Sequence, residues 1–310
     1  MPLNILISNY DGIAAEGIHV LARRLSGAHH VTVAAPMHQQ SGMSHALTIG
    51  RAIEVREDEN FDAECHVAAW AIDGTPTDCA KLYLDAIAEE RPDVVLSGIN
   101  HGSNLGTDVI YSGTVGAAFE GYFHGISSFA LSLLDGSSLS FADAAEYFVP
   151  FMEQVLAAAD QPFLLNINFP KELAGDEPRF VFCRQGGRDY VNAFERIEME
   201  EGRVHYKVAG EVSDTDKGIG TDIYAVEHGL IAVTPLGVDM RCCANWVMRY
   251  NHIDNHYKER RFGLLLFFFI LVCGIILNMN GVHVSLAKIR AVKRSELCAV
   301  SAECRSERTF

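Results

Sequence analysis

The chain has 310 residues, of which 49% are hydrophobic and 21% are charged, and its formal net charge at neutral pH is −15. This length and composition are typical of a globular protein of enzyme size, with one large domain or two smaller ones. The acidic balance argues against binding of a nucleic-acid polymer through a basic surface. An acidic protein that handles anionic ligands needs local compensation, by a metal ion or by backbone N–H groups.

The charge is unevenly distributed along the chain. Residues 241–310 contain 11 Lys and Arg against 5 Asp and Glu, a net charge of +6, so residues 1–240 carry a net charge of −21. The basic tail includes an uncharged apolar segment, 262–277, whose 16 residues are few for a membrane span of about 20. We therefore expect a domain over residues 1–240 followed by an atypical tail. Buried sequence, appended sequence and a membrane anchor all remain open for that tail.

The beginning of the chain and its cysteines favour an intracellular protein. Residues 1–4 lead directly into a strand pattern, without the basic and apolar regions of a signal peptide. The expected location is the cytoplasm, with membrane contact through 262–277 as the alternative. Cys65, Cys79 and Cys183 are isolated from one another and have no metal-type spacing, so we expect reduced, structural thiols.

Apolar runs alternate with helical periodicities through the first half of the chain. The apolar runs predict buried strands at Leu3–Ser8, Val31–Ala35, Val94–Ser97, Phe129–Leu134 and Phe163–Ile167. The helical spacing of apolar residues predicts helices at Glu16–Leu25, Asp78–Ile87 and Phe141–Ala159. This alternation predicts an α/β fold, in which a Rossmann-like, mostly parallel sheet carries helices on both faces.

The pattern changes over Arg179–Tyr224, where the alternations become shorter and more polar, as in Arg203–Val208. Alternation of apolar and polar residues predicts strands with one exposed face. We expect hairpins or an extended β-hairpin arm over residues 179–224. Ala225–Pro235 then restores a helical turn and a strand.

The most informative segment is Val94–Gly121, in which a buried strand opens into a loop rich in glycine and small polar residues. Helical periodicity resumes from Val115. Glycines let the backbone approach a ligand closely, and free N–H groups at a helix start favour phosphate. The segment therefore predicts a site for an anionic ligand at the carboxyl edge of the sheet.

Side chains with oxygen donors follow three of the predicted strands. Asp11 follows the first strand, Ser41 the second, and Asn100 the strand that begins at Val94. The ends of such strands can converge at a switch point of a doubly wound sheet. Carboxylate, hydroxyl and amide oxygens suit Mg²⁺, Mn²⁺ or Ca²⁺ better than zinc. Taken singly, each residue also has a simpler interpretation, as part of a turn, a helix cap or a loop hydrogen bond.

These segments resemble the SurE family of survival-protein nucleotidases, which hydrolyse nucleoside monophosphates at a divalent metal. The resemblance covers about residues 3–240 and rests on motifs in the family's order: Ser8-Asn9-x-Asp11-Gly12, Ser41-Gly42, Gly74-Thr75-Pro76-Thr77-Asp78-Cys79, Ser97-Gly98-Ile99-Asn100, Gly102-x-Asn104-x-Gly106-x-Asp108, Tyr111-Ser112-Gly113-Thr114-Val115, Leu165-Asn166-Ile167-Asn168-x-Pro170 and Gly220-Thr221-Asp222. So many motifs in one order are far more specific than a single glycine-rich loop.

The resemblance implies a role for each matched position. One divalent metal ion, Mg²⁺ or Mn²⁺, would be bound by Asp11, Ser41 and Asn100, of which Asp11 and Asn100 would be catalytic. The pocket for the substrate phosphate would be lined by Asn104, Ser112, Gly113 and Thr114. The metal would polarise the phosphoryl oxygen and position a water for attack.

The implied activity is that of a 5′/3′-nucleotidase, a hydrolase acting on phosphoric monoesters. The substrate would be a nucleoside monophosphate, with short polyphosphate as a second substrate, and the products would be nucleoside and phosphate. The implied assembly is a homodimer or homotetramer. The family ends in a helical segment that helps exchange between subunits, from which this chain differs after Met240.

One residue of the implied metal site departs from the family's pattern. The family has two consecutive aspartates before the glycine, both metal ligands, and here the first is Tyr10. Magnesium is usually bound through one or two carboxylates, so the loss of one should weaken metal binding severely and reduce activity. The alternative expectation is therefore a catalytically impaired homologue that binds nucleotide or phosphate.

Three residues near these motifs have open roles. His101 directly follows Asn100 and could act as a general acid or bind phosphate, although a solvent-facing loop histidine is the simpler expectation. Arg188 and Tyr190 could contact a nucleotide base or a neighbouring subunit, and Arg188 is equally well explained as an ordinary surface charge.

Overall fold

A computed structural model of the chain describes residues 1–62, 65, 67–198 and 203–237. Contacts group Met1–Val238 into one compact unit. In the part of the chain that the structure describes, no helix combines the length and apolar composition needed to cross a membrane. The predictions for the tail, including segment 262–277, lie outside the described residues.

The described residues form thirteen strands. In chain order they are β1 (Asn4–Ser8), β2 (His30–Pro36), β3 (Val55–Glu57), β4 (Ala68–Ile72), β5 (Val94–His101), β6 (Ser127–Leu133), β7 (Leu164–Phe169), β8 (Phe180–Phe182), β9 (Gly187–Val191), β10 (Phe194–Glu198), β11 (Val204–Val208), β12 (Glu211–Asp216) and β13 (Ile231–Leu236). The α-helices are α1 (Glu16–Ser26), α2 (Pro76–Leu82), α3 (Gly113–Phe123), α4 (Phe141–Ala158) and α5 (Asp222–Glu227).

Nine of these strands form the central sheet, in the order β3-β4-β2-β1-β5-β6-β7-β13-β8. The six strands from β4 to β7 in this order are parallel to their neighbours. β3 is antiparallel at one edge, and β13 is antiparallel to β7 but parallel to β8. The mostly parallel α/β sheet predicted from the sequence is therefore confirmed.

Helices cover both faces of the sheet because the inner strands are apolar on both sides. In β1, Ile5 and Ile7 pack in the core cluster that contains residues of α1 and α4, whereas Leu6 packs on the opposite face with Cys79 of α2. Along β5, residues 94–100 are all buried. A strand buried on both faces has no exposed side, which explains the apolar run Val94–Leu96 at its start.

The helices begin at capping residues that the sequence provides. Thr75 and Asp78 form a capping box at the start of α2, and Ser140 forms the equivalent box with Asp143 at α4. Ser112 accepts a hydrogen bond from the Val115 N–H at the start of α3. These side chains satisfy N–H groups that have no partner within the helix.

The structure differs from the predicted elements at several places. The helix predicted over 78–87 is α-helical only to Leu82 and continues as a π-helical turn over Tyr83–Ile87. The strand predicted at Val94–Ser97 extends to His101. Strands β3 and β4 were not predicted, because β3 is a short edge strand and β4 contains three alanines with little local β preference.

The predicted arm is present but shorter than residues 179–224. β9 pairs with β12, and β10 pairs with β11, so the chain runs outward and back as a two-stranded ribbon over residues 187–216. Every described residue of β10 and β11 is exposed. At the two ends of the predicted range, β8 belongs to the central sheet and residues from 222 belong to α5.

Two glycines allow the close packing that places the end of β5. A Cβ at Gly17 of α1 would lie 2.0 Å from the carbonyl oxygen of Ile99. Gly98 has a φ of +143°, and its Cβ would lie 2.5 Å from the carbonyl oxygen of Leu131. Side chains larger than hydrogen are therefore excluded at Gly98 and at Gly17, which packs on the carbonyl of Ile99 next to Asn100.

Candidate active site

Four neighbouring strands, in the order β2-β1-β5-β6, end at the same edge of the sheet. Their loops are joined by hydrogen bonds. The N–H of Gln40, after β2, donates to the carbonyl of Tyr10, after β1, at 2.9 Å. The N–H of Gly102, after β5, donates to the carbonyl of Leu133 at the end of β6, at 2.8 Å. The predicted site residues therefore come from loops that are held side by side.

Asp11 lies at the centre of these loops and is partly buried. One of its carboxylate oxygens accepts a hydrogen bond from the backbone N–H of His101 at 3.2 Å, and the other from Gln39 Nε2 at 3.4 Å. Burial raises the pKa of Asp11, and the hydrogen bond from His101 opposes that rise. Within the described ranges no lysine or arginine pairs with it. Its negative charge is therefore weakly compensated by the protein alone.

Tyr10 is directed into the same loops. Its hydroxyl lies near the side chains of Ser41 and Gln39. Burial raises the pKa of the phenol, as does the nearby negative charge of Asp11. Tyr10 is therefore neutral at physiological pH, and it lies beside two of the three predicted metal ligands.

Asn100 connects the end of β5 to the start of α3. It is 2% exposed, and its Nδ2 donates to the carbonyl of Gly102 at 2.7 Å. Its Oδ1 accepts a hydrogen bond from Thr114 Oγ1 at 3.3 Å. The amide is thus fixed with its oxygen toward Thr114, one of the residues predicted to line the phosphate pocket.

The start of α3 packs directly against the loop that follows β1. A Cβ at Gly113 would lie 3.3 Å from the Cβ of Tyr10 and 2.9 Å from Cγ of Pro76. Ser112 and Thr114, on either side of it, are buried. The residues at the start of α3 that are predicted to line the phosphate pocket therefore lie beside the loop that carries Tyr10 and Asp11.

Asn104, the remaining predicted pocket residue, is fixed by hydrogen bonds to the strands β6 and β7. Its Nδ2 donates to Ser132 Oγ at 2.7 Å, and its backbone N–H donates to Oδ1 of Asn168 at 2.8 Å. Its carbonyl accepts from the side chains of Asn166 and Asn168. These bonds show why two asparagines are needed in β7, and they leave Asn104 buried against the sheet.

The loop that carries Ser41 is fixed by two buried carboxylates. Asp78 accepts hydrogen bonds from the N–H and hydroxyl of Thr48, at 2.9 and 2.6 Å. Glu120 of α3 lies 2.7 Å from His45 Nε2. Ser41 itself is exposed.

A divalent cation fits the chemistry of this donor set. Asp11, Ser41 and Asn100 offer a carboxylate, a hydroxyl and an amide oxygen, which are hard ligands. The half-buried Asp11, without a lysine or arginine beside it, would be stabilised by a cation. The set has only one carboxylate, and the described residues contain no cluster of three or more His, Cys, Asp or Glu arranged to hold a metal.

Sequence reasoning missed one residue at this edge, Asp135. It follows β6 by two residues, and its Oδ1 lies 3.2 Å from His101 Nδ1. The same rule that selected Asp11, Ser41 and Asn100, a polar residue after a predicted strand, would have found it. His101 itself is largely exposed, which agrees with the simpler expectation of a solvent-facing histidine.

Arg188 contacts acidic residues of the same chain, which neither sequence interpretation of it included. Its side chain is largely buried, and it forms ion pairs with Asp214 at 2.8 Å and Asp108 at 3.2 Å. The Tyr190 hydroxyl donates to the same Asp108 at 2.9 Å, and its pKa is raised to about 12, chiefly by burial. Arg188 is therefore not an ordinary surface charge, because it ties the base of the arm to the loop after β5.

Comparison with known proteins finds a matching family profile and several relatives of this chain. A family profile described as "Survival protein SurE" matches residues 5–192. The chain is 45% identical over 258 residues to "5'-nucleotidase SurE" of Picosynechococcus sp., covering 76% of this chain and 91% of the relative. It is 43% identical over 240 residues to the protein of the same name from Gloeobacter violaceus, covering 77% and 91%.

A solved structure has the same fold. The crystal structure of the SurE protein from Aquifex aeolicus superposes with a TM-score of 0.66 at 34% sequence identity, covering 80% of this chain and 98% of that one. The family profile, the relatives and the solved structure all confirm the resemblance seen in the motifs. The chain belongs to the SurE family.

Proposed function

We propose that this protein is a divalent-metal-dependent nucleotidase, which hydrolyses nucleoside monophosphates to nucleoside and phosphate. It is a hydrolase acting on phosphoric monoesters, the activity stated in the name of its relatives. The observation that carries the proposal is that hydrogen bonds join the loop after β5 to both Asp11 and the start of α3, through His101 and Asn100. A cation at one end of this site and backbone N–H groups at the other suit a phosphate dianion.

The residues of the chain then have distinct tasks. Asp11, Ser41 and Asn100 would hold the ion, which when bound supplies electrophilic assistance to the phosphoryl group and a coordinated water. Thr114 and the N–H groups at the start of α3 bind the phosphate oxygens and stabilise the charge that develops on them. Asn104 fixes the loop between these parts, since its backbone and side chain are both hydrogen-bonded to the sheet.

A second candidate function is binding without efficient catalysis. Tyr10 favours it, because a neutral phenol lies beside Asp11 and Ser41 where a carboxylate would strengthen cation binding. In that case the start of α3 still binds phosphate, and the rate of hydrolysis is low.

Several finer properties belong to the same proposal. They are activity on 3′-phosphates and short polyphosphate, a preference for Mg²⁺ or Mn²⁺, and a homodimer or homotetramer formed through the arm. We also propose residues 1–240 as the nucleotidase domain, with the arm inside it and 241–310 as an atypical tail. A cytoplasmic location fits a nucleotide substrate, with membrane contact through 262–277 as the untested alternative.

The proposal is tested by phosphate release from a panel of 5′- and 3′-nucleoside monophosphates. The assay is run with Mn²⁺ or Mg²⁺, and again with a chelator. We expect release that depends on the metal and is lost in Asp11→Asn, because the variant keeps the size of the side chain but not its charge. A matched control is Asp160→Asn, which changes an exposed carboxylate before β7, at the opposite edge of the sheet.

The outcomes separate the two candidates. Release that persists with the chelator would contradict metal dependence. No release, with nucleotide binding retained, would favour the impaired binding protein. Neither release nor binding would overturn both.

A further inference from the structure

The site contains a second carboxylate, Asp135, that neither the motifs nor the family pattern assigns. It follows β6, which lies beside β5 in the sheet, and Leu133 of β6 pairs with His101 of β5. Asp135 therefore reaches the loop after β5 from the side opposite to Asp11.

Its position is defined by two neighbours. Oδ1 lies 3.2 Å from His101 Nδ1. A Cβ built on Gly102 would lie 3.6 Å from each of its carboxylate oxygens and 3.9 Å from Asn100 Nδ2. The carboxylate thus lies against the backbone that leaves Asn100, and a larger residue than glycine at 102 would crowd it.

Its charge lies close to the centre of the site. His101, whose Nδ1 lies 3.2 Å from Asp135, also donates its backbone N–H to Asp11 at 3.2 Å, so the two carboxylates flank the same residue. The side chain is 72% exposed. An exposed carboxylate beside an already acidic site opposes phosphate binding, unless a cation lies between the carboxylate and the phosphate.

We propose that Asp135 is a positioning residue for the divalent cation, supplying through solvent the second negative charge that Tyr10 does not provide. This inference rests on the proposed function, because it assumes a cation at Asp11, Ser41 and Asn100. Divalent magnesium usually keeps several waters, so a carboxylate can act on it without direct contact. Its partner His101 would hold the carboxylate toward the pocket.

The test is the affinity of the full chain for Mn²⁺ alone, measured from the electron paramagnetic resonance signal of the free ion. We expect Asp135→Asn to raise the Kd about threefold to tenfold, the scale of one exposed charge acting on a doubly charged ion. The difference should shrink in about 1 M KCl, where charges are screened beyond about 3 Å. Asp135→Glu should retain most of the affinity, and Asp160→Asn should equal the unaltered chain.

A second measurement, of phosphate affinity, should not show the loss expected for Mn²⁺. Without metal, Asp135→Asn should bind inorganic phosphate at least as tightly as the unaltered chain, because a repulsive charge is removed. A merely structural defect would weaken both ligands.

The proposal is overturned if the Kd for Mn²⁺ is unchanged in Asp135→Asn while the unaltered chain binds the ion. It is also overturned if the loss is insensitive to salt or accompanied by weaker phosphate binding. Absence of Mn²⁺ binding by the unaltered chain would instead overturn the metal site of the proposed function, and the role of Asp135 with it.

Discussion

At the scale of single residues, Tyr10 determines how strongly the site can bind a cation. Its phenol lies near the side chain of Ser41, and its Cβ lies against Gly113. The same side chain therefore lies between a proposed metal ligand and a residue proposed to bind phosphate. A phenol at this position fills space and adds a neutral hydroxyl, whereas a carboxylate would add charge.

Tyr10→Asp should increase metal-dependent phosphate release about tenfold or more, a lowering of the barrier by about 1.4 kcal/mol. The reason is the additional carboxylate beside Asp11. In the absence of metal the variant should be less stable than the unaltered chain, because Asp11, Asp135 and the new carboxylate repel one another. Initial rates with Mn²⁺ and thermal unfolding with a chelator measure the two effects.

Tyr10→Phe is the control for this prediction, because it keeps the ring and removes only the hydroxyl. It should give no increase in rate. Equal rates in Tyr10→Asp and the unaltered chain would show that the assignment of metal ligands is wrong.

At the scale of elements, the loop that carries Ser41 depends on the first turn of α2. Asp78 is the third residue of that helix and 3% exposed. Burial opposes its ionisation, but hydrogen bonds from Thr48 and Thr75 outweigh that effect and lower its pKa. One carboxylate thus caps a helix and holds the loop between β2 and β3.

Asp78→Asn should destabilise the fold by about 2 kcal/mol at neutral pH, the usual contribution of hydrogen bonds to a buried charged acceptor. Because the pKa in the folded state lies below the unfolded value of about 3.9, the stabilisation is complete above that value. It is lost as the pH falls through the folded pKa. Urea unfolding should therefore show a difference that is largest at pH 7 and declines as the pH is lowered below about 3.9.

The matched control is Asp143→Asn, at the same position of the capping box of α4. That residue is less buried than Asp78, and hydrogen bonds from Ser140 lower the pKa of its carboxyl group. We expect a smaller loss of stability with the same direction of pH dependence. A difference for Asp78→Asn that persists undiminished at low pH would contradict the role given to its charge.

At the scale of the whole molecule, the arm has one apolar face without a partner in the chain as described. Cross-strand pairing places Phe194 opposite Val208, and Arg196 opposite Tyr206, on one face of β10 and β11. Phe194, Tyr206 and Val208 are 65%, 65% and 76% exposed. Exposed apolar patches of this kind usually mark an interaction surface. We interpret this face as the surface of the proposed homo-oligomer.

Val208→Asp should reduce the oligomer to smaller species, with association weakened about tenfold or more, since a buried valine contributes about 1.5–3 kcal/mol. Light scattering coupled to size-exclusion chromatography measures the mass. Lys207→Asp is the control, because residue 207 lies on the opposite face and pairs with Glu195. An unchanged mass for Val208→Asp would contradict an interface on this face.

Much of this molecule follows from local patterns. The parallel sheet, its main strands and helices, the family and the positions of Asp11, Ser41 and Asn100 were all predicted from the sequence. Each of these depends on residues close together in the chain: an apolar run, a helical spacing, or a polar residue at the end of a strand. The motif order then identified the family, since its spacing spans most of the domain.

The tertiary structure decided what depends on distant residues. The edge strand β3 exists because β4 offers it a partner, and the burial of Arg188 requires acidic residues from two other segments. The approach of Tyr10 to Ser41 and that of Asp135 to His101 join loops that follow different strands. No local sequence pattern predicts such contacts, because they arise only when the sheet brings the carboxyl ends of its strands to one edge.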